Sequence, residues 1–183
     1  MIFKVSPNVW KIANDSNIYY IKGKNMLIDC GDRLHIEDIK KDVSALFDPL
    51  SIKIVVITHL HYDHCGCIDL FPNAKFYAHP DEIKNYKENP LGLVFDDSMV
   101  ELLSHIKLLP LIEIEDVKII HTPGHTAGGI CLLYDGILFT GDTLFDGGTG
   151  RTDLYSSDEA AMQKSLEMLE ELEYEVLCPG HDY

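Results

Sequence analysis

His59-Leu60-His61-Tyr62-Asp63-His64 places four metal-binding side chains within six positions, directly after the apolar run Ile52 to Ile57. Imidazoles and carboxylates at this density suit a divalent cation better than packing. Residues two apart share a face only on an extended backbone, because in a helix they point about 200° apart. His59 and His61 can therefore grip one ion from the end of a strand. Asp63 and His64, just past a turn, can reach a second. Three further candidates stand at the ends of other apolar segments: His125 within Thr122-Pro123-Gly124-His125-Thr126, Asp142 after Gly141, and His181 after Pro179-Gly180.

The elements that must hold these groups read as strands punctuated by helices, with no repeat, low-complexity stretch or linker. Asn17 to Ile21 and Met26 to Asp29 form a hairpin around Lys22-Gly23-Lys24-Asn25, where Gly23 is expected to supply the turn geometry. Ile36, Ile39, Val43, Leu46 and Phe47 recur at helical spacing, and Asp48-Pro49 ends that helix. Strand 52–58 carries the first cluster, a short helix covers 64–70, a strand covers 74–78, and a brief helix opens at Pro80-Asp81. Residues 85–100 show little periodicity, so a lid over a pocket or a long surface loop is expected there. Ile112-Glu113-Ile114 alternates like a strand. Further strands cover 117–120, 130–134, 137–140 (a hairpin about Asp135-Gly136) and 175–178. A helix near 158–172 turns Ala161, Met162, Ser165, Leu166, Leu169 and Leu172 inward. Strands delivering polar residues at their C-terminal ends place one site at a sheet edge.

The 183 residues fit one domain, 1–183, and 46% hydrophobic content can fill a sizeable core. A net charge of −15, with Arg33 and Arg151 as the sole arginines, argues against a nucleic-acid partner. The acidic run Glu159, Glu167, Glu170, Glu171, Glu173 and Glu175 reads as a solvated helix face. No stretch of 18 apolar residues suggests a membrane span, and the start lacks a secretory leader, so a cytoplasmic protein is expected. The five cysteines (Cys30, Cys65, Cys67, Cys131 and Cys178) include no C-x-x-C. Reduced structural thiols are expected, Cys65 and Cys67 included. His35, His79 and His105 read as non-ligands. Asp29, a strand-terminal carboxylate, is the better partner for a ligating imidazole, with His121 as a second choice.

Taken together, Asp29-Cys30-Gly31, the H-x-H-x-D-H block, P-G-H-T at 123–126, G-D at 141–142 and G-H at 180–181 resemble the signature of the metallo-β-lactamase superfamily. The resemblance implies an α/β fold, a four-layer αββα sandwich, with a binuclear centre between the sheet edges. It implies His59, His61 and His125 on one ion, Asp63, His64 and His181 on the other, and Asp142 bridging both. Each ion then has three terminal ligands and a shared carboxylate oxygen, with room for a water. Two divalent cations are expected, Zn²⁺ foremost, although nitrogen and oxygen donors also suit Fe²⁺ and Mn²⁺.

Within the superfamily, Gly141 to Phe145 followed by Gly150-Arg151-Thr152-Asp153 is similar to glyoxalase II-like thioesterases and the related persulfide dioxygenases. Arg151 and Asp153 are read as a salt bridge or turn that stabilises a loop. Aspartate at the bridging position, where many true β-lactamases carry cysteine, argues against a β-lactamase. The nuclease branch shares the ligand set, but the acidity argues against RNA processing. Glyoxalase II enzymes continue beyond the last histidine with a helical segment that helps bind glutathione, whereas here only Asp182 and Tyr183 follow, so the expected substrate is a small-molecule thioester or ester, with glutathione recognition left open. The implied reaction is hydrolysis of that bond by a hydroxide bridging two ions, with Asp63 orienting the nucleophile and taking its proton. The rivals are a mononuclear iron persulfide dioxygenase on the same scaffold and a catalytically inactive metal-binding module.

Overall fold

Successive residues of the short strands serve different cores, which is why their sequences run apolar without a polar face. The computed structural model describes residues 1–182. One sheet has the order β1 (Ile2–Lys4), β2 (Val9–Ile12), β3 (Ile18–Ile21), β4 (Met26–Ile28), β5 (Ile54–Val56), β6 (Lys75–Ala78) and β7 (Leu108–Pro110). The second has the order β13 (Val176–Pro179), β10 (Ile137–Gly141), β9 (Ile130–Tyr134) and β8 (Lys118–His121). In β3, Ile18 and Tyr20 enter a core shared with the helices, while Tyr19 and Ile21 enter a core shared with the second sheet. β10 does the same from the other side: Ile137 and Phe139 face the first sheet, and Leu138 faces a helix. Side chains alternate across a strand, so a sheet covered on both faces needs apolar residues at every position.

Three clusters thus define three interfaces and four layers. Ile39 and Val43 of α1 (Ile36–Leu46), Leu93 and Val94 of α4 (Pro90–Val94), and Met99 and Leu103 of α5 (Asp97–Ser104) pack on the first sheet. The two sheets pack on each other through Met26, Ile28, Val56, Leu132 and Phe139. Leu169 of α6 (Glu159–Glu170) packs on Ile120, Cys131 and Leu138 of the second sheet. This is the expected αββα sandwich. The Asp158 side chain caps α6 by accepting from the Ala161 amide, worth about 1 kcal/mol. The acidic residues from Glu159 to Glu175 are all exposed, as a solvated face requires.

Several expectations need correction. The segment 85–100 is not a structureless lid: α3 (Pro80–Glu88), α4 and α5 occupy most of it. Asn89 and Asp96 cap the second and third helices through the amides of Gly92 and Met99. Each helix is too short to show a period. Ile112-Glu113-Ile114 forms no strand, and Ile112 is 82% exposed. In the first hairpin Asn25, not Gly23, takes the left-handed conformation at φ 45°. Residues 64–70 split into α2 (Tyr62–Cys65) and a separate single turn over Ile68–Leu70. β1 and β2, and the small hairpin β11 (Leu144–Phe145) and β12 (Gly148–Thr149), were not expected. None of the described helices is long and apolar enough to cross a membrane.

The strand directions place the polar ends together. β4 and β5 pair in parallel, as do β10 and β13. Two antiparallel steps, β8 to β9 and β9 to β10, give β8 the same direction as β10. Asp29, His59, His125, Asp142 and His181 therefore all follow strands at corresponding ends of the sandwich.

Candidate metal centre

The seven candidate residues converge on one locus between the two sheets. Single donor atoms of His59, His61 and His125 lie within 4.8 Å of one another, as do those of His59, His64 and Asp142, and those of Asp63, His64 and His181. His125 Nε2 is 2.9 Å from His61 Nδ1, and His64 Nε2 is 3.2 Å from His181 Nε2. Asp142 stands between the groups, with Oδ1 3.2 Å from His64 Nε2 and Oδ2 3.5 Å from both His125 Nε2 and His181 Nε2. Asp63 Oδ2 is 3.2 Å from His181 Nε2.

Outer hydrogen bonds decide which ring nitrogen carries a proton. His64 Nδ1 donates to Asp29 Oδ2 at 2.8 Å, His125 Nδ1 to the Arg151 carbonyl at 2.8 Å, and His181 Nδ1 to the Asp15 carbonyl at 2.7 Å. Thr58 Oγ1 donates to Asp29 Oδ2 at 2.8 Å and so accepts from His59 Nδ1 at 3.2 Å. Each of these four rings thereby turns its Nε2 away from its outer partner and into the locus. His59 Nε2 and His61 Nε2 are buried without a hydrogen-bond partner among the described residues. Asp142 Oδ1 is likewise buried without one, because its approach to His64 lies outside hydrogen-bond geometry. Facing lone pairs and orphaned buried acceptors are costly unless a cation sits among them. The donor set fits divalent metal.

The electrostatics match. Burial, then the neighbouring His64 and His61, hold His59 well below the usual imidazole range; burial, then His125, brings His61 down to about 3. For His64 and His181, burial is outweighed by Asp142 and Asp63, which raise His64 well above its ordinary value and His181 to about 10. His64, against the opposing effect of burial, pulls Asp142 well down and also lowers Asp63. Two carboxylates among five imidazoles make a cage that takes up positive charge, whether from protons or from metal.

A family model described as the metallo-beta-lactamase superfamily matches residues 12–181. The chain belongs to that superfamily. A probable metallo-hydrolase of Methanocaldococcus jannaschii is 33% identical over 184 residues, covering 91% of this chain and 87% of that protein. The hydroxyacylglutathione hydrolase of Francisella tularensis subsp. novicida is 30% identical, covering 95% of this chain and 66% of that enzyme. The chain is thus a superfamily member with glyoxalase II-like relatives, and this kinship supports a metal-dependent hydrolase. Among solved structures, a di-iron-bound form of TTHA1623 shares the fold with a TM-score of 0.68 at 24% identity, covering 100% of this chain and 92% of that one. ETHE1 from Myxococcus xanthus shares it with a TM-score of 0.68 at 21% identity, over 96% and 76%.

Several features of this superfamily member bear on the centre. A Cβ on Gly180 would lie 2.3 Å from Asp142 Oδ1 and 2.8 Å from His64 Cε1, so only glycine lets the chain turn into His181 there. The loop carrying His181 is tied to the first sheet: the Asn17 amide donates to the Gly180 carbonyl, and Tyr19 Oη donates to the Pro179 carbonyl. Ser16 Oγ donates to the Asp63 carbonyl. Arg151 and Asp153 form a two-bond ion pair at 2.7 and 2.9 Å in an exposed turn, while the Arg151 carbonyl holds His125. His121 Nε2 binds the Ala127 carbonyl at 2.9 Å and so props the His125 loop. Its ring stacks on His79, and with Asp81 the two form a separate, more exposed group. Cys65 Sγ donates to the His61 carbonyl, and Cys67 Sγ to the Asp32 carbonyl; burial raises both thiols, Cys67 to about 12. Both remain outside the candidate donor groups. Sequence reasoning missed Glu82, a buried carboxylate on α3 that reaches two of the loops bearing these residues.

Proposed function

We propose that this chain hydrolyses a small thioester or ester with two divalent cations, zinc foremost. His59, His61 and His125 would hold the first ion, and Asp63, His64 and His181 the second, with Asp142 shared between them. The observation that carries this reading is the outward anchoring of four imidazoles, which turns their Nε2 atoms inward, those of His64 and His181 toward Asp63 and Asp142 and that of His125 toward Asp142. When bound, such a pair of cations supplies a hydroxide nucleophile near neutral pH and a Lewis-acid hold on the scissile carbonyl oxygen.

The chain's own residues do the rest. Asp63 is kept ionised by His64 and His181, and it is partly open to solvent. Its carboxylate orients the attacking water and passes the proton outward. A thiol leaving group needs little help, since its ordinary pKa is about 8.5. Beside Asp142 a cleft of about 440 Å³ is lined by Phe145, Asp146, the Gly147-Gly148 turn and Arg151. Beside the donor group of His59, His61 and His125, the Phe95 ring lies 5.0 Å from the His61 ring. The Phe145 and Phe95 rings favour a substrate with an apolar acyl or thiol arm, with Asp146 and Arg151 as the charged groups of the cleft.

The test is a panel of thioesters, esters, lactones, phosphodiesters and persulfides with protein of measured metal content. Two ions per chain, thioester or ester turnover without oxygen uptake, and loss of that turnover in Asp142→Ala are expected. One iron per chain with oxygen consumed on a persulfide would overturn the reading in favour of the dioxygenase. No turnover on any substrate by the two-ion protein would mark an inactive binding module.

A further inference from the structure

Glu82 is a fully buried carboxylate at the third position of α3. An acidic residue there ordinarily faces solvent, or reaches back to the cap of its own helix. This one points inward. Its Oε1 accepts from the Leu60 amide at 2.8 Å, and its Oε2 accepts from Thr126 Oγ1 at 2.9 Å and the Gly128 amide at 3.0 Å. Leu60 lies between His59 and His61, and Thr126 directly follows His125. One side chain thus spans the two loops that carry those three histidines, one loop from each sheet.

Two further observations separate this from ordinary packing. Among the described residues Glu82 has no ion-pair partner, and burial raises its carboxyl above the ordinary value against the pull of its three hydrogen bonds. A buried carboxylate without a countercharge is expensive, and an apolar side chain would fill the space more cheaply. The opposing backbone is also shaped for it: a Cβ on Gly128 would lie 2.2 Å from the Glu82 nitrogen and 2.5 Å from its Cβ. Only a glycine lets the 126–129 turn approach the helix closely enough for its amide to reach the carboxylate. The holds on the second group do not involve Glu82: Asp29 binds His64, the Asp15 carbonyl binds His181, and Ser16 binds the Asp63 backbone.

We propose that Glu82 is the positioning residue of the first metal site, fixing the spacing of His59 and His61 against His125 by clamping their two loops. This rests on the reading of those three histidines as ligands of one ion. Removing the clamp loosens that site selectively and leaves Asp63, His64 and His181 in place.

Zinc-loaded wild type and Glu82→Gln are titrated with a competing chelator. Bound metal is measured by mass spectrometry, and imidazole ¹⁵N spectra report which histidines release. In Glu82→Gln one of two ions, the one on His59, His61 and His125, is expected to leave at a chelator concentration about 10- to 100-fold lower. The second ion should follow the wild-type curve. Thr126→Val, which removes one of the three bonds, should shift the same ion in the same direction by less, and it decides the matter if Glu82→Gln fails to fold. Equal weakening of both ions, or an unshifted first ion, in folded variants would overturn the clamp. Wild-type stoichiometry tests the underlying reading separately. Fewer than two ions overturns the two-ion proposal, and with no ion on the His59 side the clamp falls too; two ions in wild type with an unshifted variant overturns the clamp alone.

Discussion

Asp29 Oδ2 accepts a hydrogen bond from His64 Nδ1 at 2.8 Å, across 35 positions of sequence. The same carboxylate takes the Thr58 amide at 2.7 Å and Thr58 Oγ1 at 2.8 Å, so one buried side chain orients His64 directly and His59 through the threonine. Asp29→Ala leaves an amide, a hydroxyl and an imidazole N–H without their acceptor. A loss of about 3 kcal/mol in folding stability is expected, together with a fall of about 10- to 100-fold in zinc affinity. Denaturant melts and chelator competition measure the two. Wild-type zinc affinity in this variant would remove Asp29 from any role in orienting the rings.

Gly180→Ala tests the shape of the same region. The added methyl would meet Asp142 and His64, so the turn into His181 must move. Hydrolysis should fall about 100-fold, because a 1 Å misplacement of reacting groups is worth that much. Circular dichroism should show the sandwich intact. A variant with undiminished turnover would show that the loop yields without disturbing the donors.

Phe95 is a bulky residue in the left-handed region at φ 64°, and it is 41% exposed beside His61. That conformation costs a non-glycine residue about 1–2 kcal/mol, and such strain gathers at functional sites. Phe95→Gly should therefore be neutral or mildly stabilising in a thermal melt. It should also raise KM for thioesters with apolar arms about tenfold, with little change in kcat. Equal losses across polar and apolar substrates would remove Phe95 from substrate recognition.

The pH dependence of the metal-free protein follows from His64 and His181, both raised, His181 to about 10. A histidine raised in the folded state contributes stability that is complete below its unfolded pKa, about 6.5, and is lost as pH climbs through the folded value. The urea midpoint of metal-free protein should fall between pH 6.5 and 10. Metal-loaded protein should change far less over that window, because ligated nitrogens carry no proton. Parallel curves for the two forms would contradict the proposed cage.

Much of this site was legible because its donors cluster at strand ends. His59, His61, Asp63 and His64 adjoin in sequence, and His125, Asp142 and His181 each follow an apolar strand, β8, β10 and β13, all three running in one direction. Asp29 was legible for the same reason. Glu82 was not: an acid in the first turn of a helix after Pro80 reads as a dipole partner in water, and nothing local signals that the turn faces inward. The holds that Asp15, Arg151 and Asn17 exert run wholly or partly through the backbone, which side-chain identity does not advertise. The helices of 85–100 escaped because α4, at five residues, is shorter than two helical turns. β11 and β12, at two residues each, are below the length at which alternation can be seen.

The parallel pairing of β10 with β13, and the packing of that sheet against the one bearing β5, have a consequence for breathing motions. His59 and His61 hang from one sheet, and His125, Asp142 and His181 from the other, so parting the layers must tear the cluster in two. An ion held across that seam behaves as a rivet. The slowest-exchanging amides of the loaded protein should then lie along β5 and β10, and stripping the ions should speed their exchange more than that of α1, which touches no part of the seam.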